Sequence, residues 1–219
     1  MKKQLIIKKQ FIATALIAGF TLASLSQTAL ADSSRRFKST INTSAVNTSA
    51  INTPIRAVRI NVVLSDDLIY RANHLSKNLR HRPHNYRDGF EGHGFYGERD
   101  LNHLAEHLKT KLGKQLSKHG IAISDDADAV LNVILKNVQP TRPTFYQRTK
   151  FPSLSYESYG LGGAGFEANL VVDGKDSGST TYAWFATDLY DAQFSGTWSD
   201  TRRAISHFAR KTAQSLKHD

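Results

Sequence analysis

The 219-residue sequence contains no cysteine. Its fold therefore gains nothing from disulfides and must rest on its hydrophobic core. The same absence excludes a bacterial lipid anchor, which needs a cysteine directly after the apolar leader. No serine sits in a G-x-S-x-G nucleophile elbow, so no Ser-His-Asp hydrolase can be built from a recognisable motif. Acidic charge is in the minority, with Asp and Glu at 19 against Lys and Arg at 29. Only one apolar run has any length, and it lies near the first residue.

That run belongs to MKKQLIIKKQFIATALIAGFTLASLSQTALA. Lys2, Lys3, Lys8 and Lys9 precede an apolar stretch from Phe11 to about Leu25, and Ala29-Leu30-Ala31 closes it in the small-x-small pattern of a signal-peptidase site. The stretch is too short, and too rich in Ala, Ser and Thr, for a good membrane span. Residues 1–31 thus read as a secretory signal cleaved after Ala31, with no membrane span remaining and a periplasmic destination. Cleavage would leave 188 of the 219 residues, enough for a core of its own. It would remove four lysines and no acid, lowering the formal charge from +10 to about +6. A balance this mild suits an anionic envelope surface and does not call for nucleic acid. Hydrophobic content of 40% and charged content of 22% are ordinary for a globular domain.

Residues 32–56 are rich in Ser, Thr and Asn, and repeat INTSA, VNTSA and INTP, which reads as a linker. A weak strand is the alternative, because Ile, Val and Thr favour strands. The NTS triplets match a glycosylation acceptor, a motif of little weight in a precursor with bacterial features. One folded domain is expected over 57–219. RAVRINVVL alternates with period two and predicts a strand. Asp66 to Leu79 predicts a short helix, and His81 to Arg99 a loop broken by Pro83 and several glycines. RDLNHLAEHLKTKLGKQLSKHG predicts the clearest helix, its stripe formed by Leu101, Leu104, Ala105, Leu108, Leu112 and Leu116, with Gly120 as its stop. DADAVLNVILKNVQP is a second strand, with Leu131, Val133 and Leu135 on one side and Asn132, Ile134 and Lys136 on the other. GFEANLVVD and STTYAWFATDLYDA are two more strands joined at DGKDSG. The last stretch is a helix capped by Ser199 or Asp200, with Ile205, Phe208, Ala209 and Leu216 on its apolar side. Strands grouped between helices predict an α+β fold: a largely antiparallel sheet of about four strands with two main amphipathic helices packed on one face.

The combination of GGAGFEANLVVDGKDSG, a further strand and FSGTWSDTRRAISHFARKTAQSL resembles the C-terminal part of small bacterial envelope proteins of unknown function. Many of those are lipoproteins, and some are akin to auxiliary lipoprotein subunits of ABC transporters. The shared pattern is a Gly-rich approach, a D-G-K hairpin turn and a W-x-D-x-x-R-A helix start at Trp198, Asp200, Arg203 and Ala204. It covers the last third of the chain. The resemblance implies a non-enzymatic envelope role and carries over no catalytic residue.

Two constellations could carry chemistry. In HLAEH, His103 and His107 are one helical turn apart and could share a metal ion, as in some zinc peptidases. No motif supplies a third ligand; Glu157 and Glu167 are simply carboxylates at hand. The bland arrangement puts His103, Glu106, His107 and Thr110 on the wet side of the helix. Six of the nine histidines fall between His74 and His107, and a loop bearing His81, His84 and His93 could fold over the His103/His107 pair to hold zinc or copper. The other constellation interleaves rings and cations between Arg142 and Tyr159: Arg142, Phe145, Tyr146, Arg148, Phe151 and Tyr156, with Lys150 among them. Rings flanked by cations bind polymers by stacking, although some such rings cover a core. Gly160, Gly162 and Gly165 match G-x-G-x-x-G but open a strand instead of a helix, which argues for a tight bend and against nucleotide binding. Asp125, Asp126 and Asp128 read as a solvated turn.

The expectation is an exported, non-catalytic envelope protein, needing no cofactor, that binds a partner protein or an anionic surface polymer through the aromatic segment. The alternatives are a periplasmic zinc- or copper-binding protein using residues 74–107, and a small zinc hydrolase using HLAEH.

Overall fold

The computed structural model describes residues 55–77, 90–190, 192 and 195–216. Alternation of apolar and polar residues makes Ala57–Leu64 the first strand, β1, with Val58 and Ile60 fully turned inward. Ser65 caps the helix that follows, α1 (Asp66–Asn73), by accepting from the Leu68 amide at 3.3 Å. α1 is shorter than the sequence pattern suggests. His74 leaves the helix in an extended conformation, because the backbone from His74 to Ser76 pairs with residues 93–95 instead.

The leucine stripe then builds α2 (Glu98–Lys118), whose Leu101, Leu104, Leu108, Leu112 and Leu116 are all buried. Gly120, at φ +78°, allows the turn that stops it. A two-residue strand, β2 (Ala122–Ile123), precedes β3 (Ala129–Gln139), and a short helix, α3 (Phe145–Lys150), precedes β4 (Gly163–Val172). Asp173 and Gly174, both at positive φ, turn the chain into β5 (Lys175–Phe185), and α4 (Ser199–Ser215) follows.

The fold is α+β, and the sheet is larger and more mixed than four antiparallel strands. Five strands lie in the order β2-β1-β3-β4-β5. β1 runs parallel to both β2 and β3, while β3, β4 and β5 form an antiparallel meander. The parallel arrangement follows from the chain between β1 and β3. It carries the long helix α2 across one face, and a helical crossover returns the chain in the same direction. β2 was illegible because its two residues, both exposed, are too few to show a period.

Leu131, Val133 and Leu135 of β3 face inward and Asn132, Ile134 and Lys136 outward, as the alternation requires. A bulge between Leu135 and Asn137 shifts the phase by one residue, and Val138 returns to the core. α2 and α4 cover this inner face. Their start points are close: Trp198, just before α4, donates its indole N–H to Asp100 in the first turn of α2 at 2.9 Å. The central contact is a stack of Phe208 on Phe166, with ring centroids 4.6 Å apart and planes 7° from parallel, extended by Tyr182. The outer face is the polar one. Across it runs a polar row in which Asn61 donates to Asn132 at 3.1 Å, and Asn169 and Ser179 continue the register.

No helix among the described residues is long and apolar enough to cross a membrane. The leader, the repeats before Ile55, and His81 and His84 lie outside the described residues.

Candidate binding site

The aromatic segment after β3 has at its centre a helix with its own fastening. Thr144 caps α3, its hydroxyl accepting from the Gln147 amide at 3.0 Å while the Gln147 side chain accepts from the Thr144 amide at 3.0 Å. Gln147 is wholly buried, and its Nε2 donates to the carbonyls of Phe90 and Gly94 at 3.1 and 2.9 Å. The Thr144 hydroxyl donates to the Phe95 carbonyl at 3.1 Å. A six-residue helix has little stability of its own. These bonds fix it to residues 90–95 and hold its outward side chains in place.

Phe145 is 74% exposed, Tyr156 56% and Tyr159 46%, values that matter because large rings are usually hidden. The Arg148 guanidinium lies 5.7 Å from the Phe145 ring centre and 5.4 Å from that of Tyr156, so it sits between two open rings. Its Nε is buried and has no hydrogen-bond partner among the described residues. The Lys150 ammonium lies 5.4 Å from the ring of Tyr146 and 5.7 Å from that of Phe95. Phe95 meets Tyr146 and Phe151 edge-on, each at 5.8 Å, and His93 approaches Phe151 at 6.1 Å.

The six residues singled out between 142 and 156 therefore divide. Phe145, Arg148 and Tyr156 form an open platform. Tyr146 and Phe151 are half-buried and hold α3 onto the loop below. Arg142 is a buried strut, donating from Nε to the Ser195 carbonyl and from Nη1 to the Tyr156 carbonyl at 2.7 Å. The sequence pattern alone cannot separate a strut from a platform residue.

Beside the platform, a cleft of about 650 Å³ opens between α3 and the start of α2, lined by Asn73, Tyr96, Glu98, Asp100, His103 and the Phe145/Tyr146 pair among others. It brings His103 alongside the aromatic segment, joining two constellations that lie far apart in sequence. Tyr96 forms its deep wall, donating to the Glu91 carbonyl at 2.7 Å and accepting from Arg71 at 3.3 Å. Burial pushes the Tyr96 phenol up to about 12 in spite of Arg71, so it stays protonated. Burial also raises the Glu91 carboxyl, which accepts from the Leu161 amide at 3.0 Å. Phe95, Tyr96 and Glu98 were not foreseen as site residues. Their one signal was that the dipeptide Phe-Tyr occurs at 95–96 and again at 145–146.

His103 is exposed and His107 half-buried on α2. Burial first, then Lys111 and Arg202, hold the His107 ring below the usual histidine range. Glu167 lies on the outer face of the sheet, opposite α2, and pairs with Lys136 at 3.2 Å. It is therefore in no position to complete a site at His103 and His107. Among the described residues no group of three or more His, Cys, Asp or Glu side chains could hold a metal ion.

Of the G-x-G-x-x-G match, Gly160 and Gly162 serve close packing, while Gly165 has ordinary space around it. A Cβ on Gly160 would run into Glu91. One on Gly162 would come within 2.6 Å of the Thr141 hydroxyl and 2.9 Å of Asp200. Asp200 is buried and does not cap α4 as expected. Its Oδ2 accepts from the Thr141 hydroxyl at 3.0 Å and the Gly162 amide at 3.3 Å. Trp198 precedes the helix without a side-chain cap, and the Ser199 hydroxyl accepts from the Gly196 amide instead. The W-x-D-x-x-R pattern is thus structural. Trp198 ties α4 to α2, Asp200 ties it to the end of β3, and Arg203 lies 5.7 Å over the Trp184 ring.

Fold and site together define an α+β domain with an aromatic, basic platform fixed at one end of a mixed sheet. No protein-family profile matches the sequence, and no curated protein matches it. Among solved structures, the PelC dodecamer from Paraburkholderia phytofirmans is similar over 76% of this chain and 89% of its own, at 11% identity and a TM-score of 0.40. A DUF330 protein from Xanthomonas campestris is similar over 74% and 82%, at 12% identity and 0.40. The rare lipoprotein B from Shewanella oneidensis is similar over 72% and 89%, at 12% identity and 0.29. Likenesses of this size carry no argument about what the chain does.

Proposed function

We propose that the chain is an exported, non-catalytic component of the bacterial cell envelope that binds a partner protein or an anionic surface polymer through the α3 platform. One observation carries this reading: Arg148 lies between the open rings of Phe145 and Tyr156 on a helix whose buried Gln147 fixes it from below. Rings held in place lose little freedom on binding, and a guanidinium suits a carboxylate or phosphate. The leader over residues 1–31, followed by a chain without thiols, supports export.

Capture from envelope extract on immobilised protein, followed by identification of bound protein and of bound acidic polymer, tests the reading. Capture is expected to fall on changing Phe145→Ala together with Tyr156→Ala, and to survive changes on the far side of the sheet such as Asn61→Ala. Equal capture by the platform variant would sink the proposal.

A further inference from the structure

The outer surface of the two-helix layer is formed by residues other than those of the platform. On α2, His107, Lys111, Lys114 and Lys118 follow one another at spacings of four, three and four, which places them in one stripe along the helix. On α4, Arg203, His207 and Lys211 form a second stripe, and Arg202 and Arg210 stand beside it. The helices start together at the Trp198–Asp100 bond and run the same way; Arg202 stands towards His107 of α2, while Arg203, His207 and Lys211 lie on the flank of α4 that meets Trp184 and Tyr182 of β5. Beyond the first turns, the two helices carry a single acid, Glu106. Lys111, Lys114, Arg202 and Arg210 make no ion pair among the described residues. Arg203 reaches Asp200 at 3.7 Å, but that carboxylate is buried and already accepts two hydrogen bonds.

The charge acts on its neighbours. After burial, the positive groups around His107 and His207 are what hold both rings below the ordinary histidine range: Lys111 and Arg202 for the first, Arg210, Arg203 and Lys211 for the second. Cations gathered without acids raise the free energy of the folded chain unless an anion answers them.

We infer that this face docks on a bilayer surface bearing anionic phospholipid headgroups. The array fits that occupant in three respects. It is long, since 21 residues of α2 extend about 31 Å. Neither helix exposes a large apolar side chain, so contact stays at headgroup level without insertion. The rings nearest the array, Trp184 and Tyr182, lie under Arg203 and Lys211 at 5.7 and 5.8 Å and offer no open face for stacking on a soluble polymer. An extended row of cations opposite headgroup phosphates is the complementarity that remains.

The test is sedimentation of the purified chain with phosphatidylglycerol-containing vesicles and with pure phosphatidylcholine vesicles, the leader segment being the same in every variant. Binding is expected to the anionic vesicles only, and to be lost at about 1 M salt, where screening acts within roughly 3 Å. Changing Arg202→Glu together with Arg210→Glu should weaken it at least about tenfold, with Arg202→Gln and Arg210→Gln giving a smaller loss. The platform variant Phe145→Ala with Tyr156→Ala should bind as the parent does. Equal binding to both vesicle types, or undiminished binding by the charge variants, overturns the inference. So does binding to inorganic polyphosphate without binding to anionic vesicles, which would make the face a site for soluble polyanions.

Discussion

Thr141 and Asp200, 59 positions apart, are bonded in both directions: the threonine hydroxyl donates to the carboxylate at 3.0 Å and accepts from the Asp200 amide at 3.1 Å. This one junction joins the end of β3 to the start of α4, and Gly162 joins it through its own amide. Changing Asp200→Ala would leave the Thr141 hydroxyl and the Gly162 amide buried with a lost acceptor. It is expected to lower stability by about 2–3 kcal/mol, read as a fall in the urea midpoint at unchanged slope.

Gln147 and Phe145 give opposite results although they are two residues apart. Gln147→Ala removes the bonds to Phe90 and Gly94 from a buried site and should cost about 2 kcal/mol of stability while loosening the platform. Phe145→Ala takes away an exposed ring and should change stability by about 0.5 kcal/mol or less while reducing capture of the ligand. Urea unfolding and the capture assay, run on both variants, separate a fastening from a contact.

Gly162 and Gly120 are separated by what surrounds them. A Cβ at Gly162 meets Thr141 and Asp200 too closely, whereas one at Gly120 meets nothing within 4 Å and suffers only the positive φ of +78°. Gly162→Ala should therefore be the more destabilising of the two, with Gly120→Ala near 1 kcal/mol. Thermal unfolding of the pair decides it, and a smaller effect at Gly162 would contradict the packing described.

The contribution of His107 and His207 to stability should fall as the solution turns acid. His107 and His207 titrate below the ordinary value of 6.5 in the folded chain, chiefly because burial disfavours the charged ring. Between the ordinary and the folded value the unfolded chain binds more protons, so unfolding becomes easier as pH falls. The contribution is complete above about pH 6.5 and declines below it until the folded rings protonate too. Urea midpoints measured from pH 8 to pH 5 should show the decline, and the double variant His107→Gln with His207→Gln should flatten it.

The two long helices and the three long strands of the meander were legible because each buries one regular face. Five leucines at helical spacing allow α2 no other orientation, and Leu131, Val133 and Leu135 fix which side of β3 faces in. The rest depended on contacts between distant residues. β2 exists because β1 lends it a partner, and α1 stops at Asn73 because His74 to Ser76 pair with residues beyond the following loop. α3 escaped notice because its six residues include only one buried side chain, Gln147, a polar residue that no hydrophobic pattern reports. The candidate site was half legible. Its rings and cations stood out, but separating Arg142 the strut from Arg148 the platform residue needed Ser195 and the Tyr156 carbonyl in view. Asp200, which looks like a helix cap in the sequence, accepts its bonds from Thr141 and Gly162 for the same reason.

The parallel seating of β1 against β3 has a kinetic meaning. β4 and β5 meet through a two-residue turn and β3 and β4 across the 23 residues that carry α3, but Asn61 reaches Asn132 only when residues 71 apart come together. A meander that can assemble early must wait, its inner edge unpaired, for a strand from far upstream to slot in beside it. Hydrogen exchange during refolding should accordingly protect the amides of β4 before those of β1. A newly made chain bears its most adhesive edge during that interval.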